Sequence, residues 1–301
     1  MITVHSILEQ HANVPIFEKE MLLAFSTRHS REFIMSHPNE EILKRQARAY
    51  ARLLKKREAG WSVAHILGKK EFFELNFFVN KHTLIPRPET ELLVWLALKR
   101  LESTDGRRLT TVIDVGTGSG CISIAIARSM RKSGIYEHID FFGIDTSRPA
   151  LRVAKKNAAL HDTHITFLHG NLLEPITNKQ AATGNENLLI TANLPYLTQE
   201  QFDEEPSIHR EPLSALVAKE GGLFFYKRLL KQLRQIMVDR TPSTVTLFME
   251  IDPSQSRMLS HISTSIFPNA AVATHKDLAG HDRVVEILID ATPTKVLSLA
   301  E

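Results

Sequence analysis

The sequence predicts an α/β protein: a mostly parallel sheet of seven strands, covered by helices on both faces, behind a small helical N-terminal region. Three observations carry this. After Pro88, apolar segments of strand length alternate with segments of helical periodicity, the pattern of a sheet sandwiched between helices. Up to Arg57 there is no glycine and no segment that reads as a strand. Between the two textures of the later half, one apolar strand runs through three closely spaced glycines into a helix rich in Ile and Ala.

Taken in order, Pro15 opens a helix that contains Ile16, Met21, Leu22 and Phe25. The segment 40–58 is a second helix. Leu43, Ala47, Tyr50 and Leu54 fall on one face at offsets of four, three and four, and Arg45, Arg48, Arg52 and Lys55 fall on the other. With Lys44, Lys56 and Arg57 this basic side reads as a solvated helix face; contact with an acidic partner or ribosomal RNA is the alternative. The aromatic-rich run 71–81 reads as a short hairpin centred on Asn76. Strands follow at 111–115, 139–144, 165–168, 188–192, 244–251, 270–275 and 283–290. Helices fall at 89–101, 121–132, 149–161, 222–238 and 255–266. The last two strands are joined by too few residues for a parallel crossover, so they form an antiparallel pair. The polar segment 177–187 is a surface loop. The expected division is a helical domain over 1–70, a hairpin linker over 71–85, the sheet domain over 86–291 and a frayed tail over 292–301.

Composition narrows the function classes. The chain has 301 residues, long enough for about two domains. Charged residues are 24% and hydrophobic residues 43%, which excludes a disordered or collagen-like chain. The net charge of +3 is too small to indicate nucleic-acid binding by itself. Cys121 is the one cysteine, so no disulfide can form within the chain, as suits a reducing, cytoplasmic setting. The first residues lack the pattern of a secretory signal, and no apolar run reaches membrane-spanning length, so no membrane association is expected. The fourteen histidines include no H-E-x-x-H and there is no cysteine pair, so no metal site is expected.

Two motifs carry chemistry. The first is Gly116-Thr117-Gly118-Ser119-Gly120, at the end of strand 111–115. Glycines there permit positive φ and close approach of a ligand to the backbone, and the following helix offers free N–H groups to a negative group. A dinucleotide fingerprint needs glycine at 121 and finds Cys121; the G-x-G-x-G spacing suits S-adenosylmethionine. Cys121 is a small residue opening the helix, not a nucleophile. Asp145 closes the next strand, where a carboxylate can accept hydrogen bonds from both ribose hydroxyls.

The second motif is Asn193-Leu194-Pro195-Tyr196, after strand 188–192, at the sheet edge where ligands sit in open α/β folds. The Asn193 amide oxygen and the Leu194 carbonyl are two acceptors for a planar –NH2 group. Pro195 holds Leu194 extended, and the Tyr196 ring closes the slot. Such a slot makes Asn193, Pro195 and Tyr196 the candidate catalytic residues for methylation of an amide or exocyclic amine, with alignment as the main device.

On these motifs the chain resembles the family of protein-(glutamine-N5) methyltransferases that modify peptide chain release factors. The resemblance runs from about Trp61 to Ile289. Its landmarks are His65-Ile-Leu-Gly68, Leu84-Ile-Pro86-Arg-Pro-Glu-Thr-Glu91, the glycine turn, Glu211-Pro-Leu-Ser-Ala-Leu216, Gly222-Leu-Phe-Phe-Tyr226 and Lys276-Asp-Leu-Ala-Gly-His-Asp-Arg-Val-Val285. It implies the class I methyltransferase layout, with its seven-stranded Rossmann-like sheet. It implies that residues 116 to 120 and Asp145 hold S-adenosylmethionine, with Asn171 and Leu172 beside the adenine and Asn193 touching both cofactor and substrate. Asn193 to Tyr196 would hold the glutamine of a Gly-Gly-Gln loop, Arg87 and Glu89 would line the entrance, and the helical domain would help dock a release factor, near the ribosome. Read locally, Arg87 and Glu89 are instead the start of a Pro-initiated helix with an acid in its first turn.

Three departures stand out. The family usually has proline at 194, so Leu194 loosens the slot and adds an N–H donor. It usually has Asp where this chain has Asn171, and Ile-Gly where this chain has Ile251-Asp252. Two other readings stay open: an adenine-N6 nucleic-acid methyltransferase, which shares the slot, and a related glutamine methyltransferase acting on a ribosomal protein, from which the Pro86–Glu91 run differs.

Overall fold

The computed structural model describes residues 1–103, 110–133, 138–177, 187–240 and 242–290. Most of the expected loop 177–187 and the whole of the tail 292–301 lie outside them.

Five helices come first: α1 (Val4–Leu8), α2 (Ile16–Thr27), α3 (Arg31–Ser36), α4 (Lys44–Glu58) and α5 (Val63–Leu67). They enclose a small core of Val4, Ile7, Leu22, Leu23, Ile34, Tyr50 and Leu54. α4 buries Tyr50 and Leu54, while Lys44, Arg45, Arg48, Arg52, Lys55 and Lys56 face outward. Leu43 precedes the helix and is exposed. Arg57 departs from the solvated face: its guanidinium binds the Glu18 carboxylate on α2, with Nη2 3.0 Å from Oε1.

The hairpin is β1 (Lys69–Phe72) and β2 (Leu75–Phe78), and its turn is Phe73-Glu74, not Asn76. Both turn residues are left-handed, at φ 49° and 60°, the backbone a two-residue hairpin needs to match strand twist. The Glu91 carboxylate accepts the Phe73 N–H at 2.9 Å. Propensity alone centres the turn on Asn76. Packing overrides it, because Phe72 and Phe77 both face the core only in this register.

The main sheet contains β3 (Thr110–Val115), β4 (Ile139–Asp145), β5 (Thr166–His169), β6 (Asn187–Ala192), β7 (Thr244–Glu250), β8 (Ala271–Lys276) and β9 (Asp282–Asp290). Their order is β5-β4-β3-β6-β7-β9-β8. The first five run parallel and β9 runs antiparallel to both neighbours. The antiparallel pairing of the last two strands agrees with their short connection. β3 and β6 are buried along their whole length, as strands covered on both faces must be.

On one face lie α6 (Glu91–Ser103), α7 (Cys121–Ser133) and the hairpin; on the other lie α9 (Glu174–Thr177), α11 (Phe224–Arg240) and α12 (Ser256–Ile266), while the short α10 (Gln199–Asp203) follows the end of β6. α8 (Arg148–Leu160) packs on β4 and β5. Strand order reverses between β3 and β6, which opens a crevice at their C-terminal ends. Among the described residues no helix is long and apolar enough to cross a membrane, and no group of three His, Cys, Asp or Glu residues is placed to hold a metal ion.

Candidate active site

The crevice is a cavity of about 300 Å³ into which the glycine turn, the end of β4 and the end of β6 all open. Gly116, Gly118 and Gly120 have φ of 74°, 54° and 81°, so the chain reverses from β3 into α7 through backbone that side chains resist. Gly116, Thr117, Gly118, Ser119, Asp145, Asn171, Leu172 and Asn193 line the cavity. Gly120 does not. It sits where a Cβ would lie 2.9 Å from Ile124 Cδ1 and 3.2 Å from Ala154 Cβ, so its part is to let α7 and α8 approach.

Asp145 is tied to both sides of the turn. Its Oδ2 accepts the Gly118 N–H at 2.9 Å and its Oδ1 accepts the Ser147 N–H at 2.7 Å. Ser147 in turn caps α8 through the Ala150 N–H. Burial raises the Asp145 carboxyl above the usual range, and the two N–H donors pull against that. Each carboxylate oxygen keeps a second lone pair, so acceptors remain for a ligand hydroxyl.

Asn171, where an acid was expected by resemblance, lies beside Arg228. With its carboxamide oxygen turned to that guanidinium, it accepts from Nη2 at 3.0 Å. The Asn171 –NH2 is then the group left for a ligand, a donor where a carboxylate would offer an acceptor. Cys121 is free and buried, and burial pushes its thiol up to about 12, which removes it as a nucleophile near neutral pH.

The Asn193–Tyr196 segment is held firmly despite Leu194. The Leu194 N–H donates to Tyr226 Oη at 3.3 Å, and its side chain is buried against Gly116. The Tyr226 hydroxyl gives its own proton to the Glu250 carbonyl. Gln255 Nε2 donates to the Tyr196 carbonyl at 2.7 Å and to the Gly221 carbonyl at 2.8 Å. The looser slot expected of a leucine at 194 is therefore countered by a hydroxyl that takes the extra N–H and by apolar burial of the side chain. Tyr226→Phe is expected to cost about 1–3 kcal/mol, because it strands the Leu194 N–H inside the protein. A shift of the urea midpoint at unchanged slope would measure it.

Asp252 also finds a reason. It caps the short turn Pro253–Gln255 through the Ser254 N–H, and its own N–H donates to Gln255 Oε1 at 3.2 Å. That contact fixes the Gln255 amide with its –NH2 toward Tyr196.

Arg87 lines the cavity and pairs with the buried Glu211, whose other oxygen accepts the Ile85 N–H at 2.9 Å. Leu194 and Pro195 line it as well. Tyr196 lies on an adjoining space of about 360 Å³, shared with Arg87, Asn193, Leu194 and Glu205. Glu89 is exposed and lines neither space.

Sequence reasoning missed Asp114, Thr90, Phe225 and Glu250. Asp114 is fully buried on β3. It accepts from Thr117 Oγ1 at 2.7 Å and Thr191 Oγ1 at 3.1 Å, and burial pushes its carboxyl up to about 6. A lone acid inside an uncharged, otherwise buried strand was the available signal for Asp114, and an acid closing such a strand was the signal for Glu250.

A parallel sheet with a final antiparallel strand, a glycine turn at its switch point and an acid closing the next strand define a class I methyltransferase that uses S-adenosylmethionine. The cavity suits that molecule: it offers acceptors at Asp145, backbone of the turn 116–119 that a ligand can approach closely, and apolar walls from Ile122, Leu172 and Phe225. Comparison with known proteins agrees. Residues 107–252 match the model of a methyltransferase domain, and residues 4–68 match the PrmC N-terminal domain. The chain is 31% identical over 268 residues to the release factor glutamine methyltransferase of Bacillus cereus, across 88% of this chain and 90% of that protein. It is 32% identical over 275 residues to the Bacillus subtilis protein of that name, across 90% of each. The hMettl16 catalytic domain in complex with the MAT2A 3'UTR hairpin 1 superposes with a TM-score of 0.55 at 15% identity, covering 79% of this chain and 81% of that one. At that identity the likeness is one of fold. The chain belongs to the release factor glutamine methyltransferase family.

Proposed function

We propose that this enzyme methylates the side-chain nitrogen of the glutamine in the Gly-Gly-Gln loop of a peptide chain release factor. The observation that carries this is the slot at the end of β6. Asn193 Nδ2 is engaged by Thr90 Oγ1 at 3.0 Å, which leaves Oδ1 as the acceptor available to a ligand. The Leu194 carbonyl, which lies 3.4 Å from Tyr226 Oη, is the second acceptor in this reading. A carboxamide –NH2 placed between them gives both hydrogens to the slot, which raises electron density on nitrogen and fixes its direction of attack. Pro195 restricts the backbone between these acceptors and Tyr196. S-adenosylmethionine, when bound, supplies an electrophilic methyl group on its sulfonium. Asp145, Asn171, Leu172 and the turn 116–119 are the residues that would hold it.

In this reading Arg87 shapes the entrance that the adjoining space provides, and exposed Glu89 borders the approach. The helices before the hairpin, within a division at 1–70, 71–85 and 86–291, serve to dock the release factor. They are joined to the sheet region where Arg210 donates to the Ala59 carbonyl at 2.8 Å, and to the linker where the Val79 N–H donates to the Gly68 carbonyl at 3.2 Å. A release factor is met in the cytoplasm, and the free, buried Cys121 is in keeping with that compartment.

One reaction tests the substrate. Purified protein is given labelled S-adenosylmethionine, a release factor and nucleic acid together. Label on the Gly-Gly-Gln peptide, located by mass spectrometry, is the expected result. Label on nucleic acid alone would replace this reading with that of an adenine methyltransferase. Asp145→Asn is expected to weaken cofactor binding by about tenfold to a hundredfold, because charge-assisted bonds worth about 1.5–3 kcal/mol become neutral ones. Calorimetric titration measures it.

A further inference from the structure

The helical region carries a concentration of positive charge that the slot does not use. Over its 15 residues α4 holds a single acid, Glu58, at its last position. Lys44, Arg45, Arg48, Arg52, Lys55 and Lys56 are all exposed. At 3.6 residues per turn they fall within an arc of about 120° and run about 18 Å along the axis. None of the six makes a hydrogen bond, ion pair or ring contact among the described residues. The carboxylates that reach the last turn are engaged: Glu58 holds His11 at 2.7 Å, and Glu18 holds Arg57.

This placement works against the helix. Lys44 and Arg45 stand in the first turn, beside the positive end of the dipole, with no acid there to offset them. Lys44, Arg48, Arg52 and Lys56 succeed one another at four-residue intervals, so like charges repel along the face. Burial of Tyr50 and Leu54 on the opposite side holds the helix down. A face that served solubility alone is better made of mixed signs, which would relieve both costs.

The face also selects its partner. Apart from the six cations, the exposed positions between 44 and 56 hold only Ala51. Tyr50, the one aromatic of the helix, is 1% exposed. Protein interfaces are built around apolar and aromatic anchors. Single-stranded nucleic acids are held on aromatic faces where bases stack. The ridge offers neither. Cations alone suffice for the phosphate backbone of a duplex, because binding releases its condensed counterions. A-form RNA sets two rows of phosphates across a deep, narrow major groove, so long cationic side chains on one ridge reach both rows.

We propose that the outer face of α4 binds the phosphate backbone of double-stranded RNA without regard to base sequence. The face lies apart from the amide slot, and the inference does not rest on which nitrogen is methylated.

The test is anisotropy of a labelled RNA duplex of about 20 base pairs, titrated with the full chain between about 50 and 200 mM KCl. With about four phosphates engaged, affinity is expected to fall about a hundredfold over that range. A triple variant, Arg45→Gln, Arg48→Gln and Arg52→Gln, is expected to bind at least about tenfold more weakly at the middle of the range. Its log–log salt slope should shrink by about three. Its urea midpoint should be no lower than wild type, because repulsion along α4 is relieved. The control removes the same charge from exposed sites on α8 and α11: Arg152→Gln, Lys155→Gln and Lys231→Gln. It should bind within about threefold of wild type. A second RNA sequence should bind equally, and a DNA duplex at least about threefold more weakly.

An α4 variant that binds RNA as wild type does, or loses no more than the control, overturns the inference. Equal binding of the DNA duplex overturns the choice of RNA. If the α4 variant instead keeps its RNA affinity while its half-saturation for release factor rises about tenfold, the ridge is a protein-docking face and the inference falls.

Discussion

Asn193→Ala is expected to lower methyl transfer by on the order of 10²–10³-fold while cofactor affinity stays within about threefold. The side chain offers one acceptor to the substrate, and its nitrogen is committed to Thr90 at 3.0 Å. Truncation removes an interaction whose value lies in aligning a poor nucleophile, so the loss falls on the chemical step more than on docking of a large protein substrate. The residues proposed to hold the cofactor, the turn 116–119, Asp145, Asn171 and Leu172, are untouched by the substitution and line the same cavity from β3, β4 and the loop after β5. Single-turnover rates and calorimetry on one preparation measure both quantities. Loss of cofactor binding together with activity would move Asn193 from the substrate's side of the slot to the cofactor's.

Gly222→Ala is expected to destabilise the fold by about 3–5 kcal/mol and to disable the slot with it. The added Cβ would lie 1.9 Å from the Tyr196 carbonyl oxygen and 2.2 Å from Gln255 Nε2, at a φ of +81°. Neither neighbour can yield cheaply. The carbonyl is backbone, and the Gln255 amide is held by Tyr196 O, Gly221 O and the Asp252 N–H at once. Gly221→Ala is the control. Its φ of +62° is also left-handed, but nothing lies within 4 Å of the added atom, so it should cost only about 1 kcal/mol of backbone strain. Equilibrium unfolding in urea compares the two. Equal costs would show that conformation, not contact with the slot, makes glycine necessary at 222.

These two sites differ in how readable they were. Asn193 was legible from its context: Asn and Pro are common turn formers, and it was their place after the fourth strand, behind the glycine turn, that pointed to a slot. Gly222 stood in a landmark of the resemblance and was read as the start of a helix, with nothing to show its contact with the slot. Its neighbour across the contact, Tyr196, is 26 residues away, and only the packing of the loop before α11 onto the slot brings them together. The hairpin shows the same divide at short range. Its aromatic run was legible, whereas the turn at Phe73-Glu74 depended on which phenylalanines the core accepts.

What the sequence by itself determined is the local part: the strands of the main sheet to within a residue and its long helices to within two, the end of the helix over 40–58 though not its start at Lys44, the glycine turn, Asp145, and the order of motifs along the chain. Those signals arise from contacts close in sequence, such as periodic burial, caps and backbone freedom, so they survive reading one residue after another. Only the tertiary structure decided how the site is supported. It inserted β9 between β7 and β8, set Tyr226 beneath Leu194, gave Asp252 and Gln255 the task of clamping Tyr196, and placed Thr90 behind Asn193 and Glu250 behind Tyr196. The physical reason is that a buried polar group must find its partner in space. The partner's position along the chain is set by how the sheet and helices pack, which no single segment encodes.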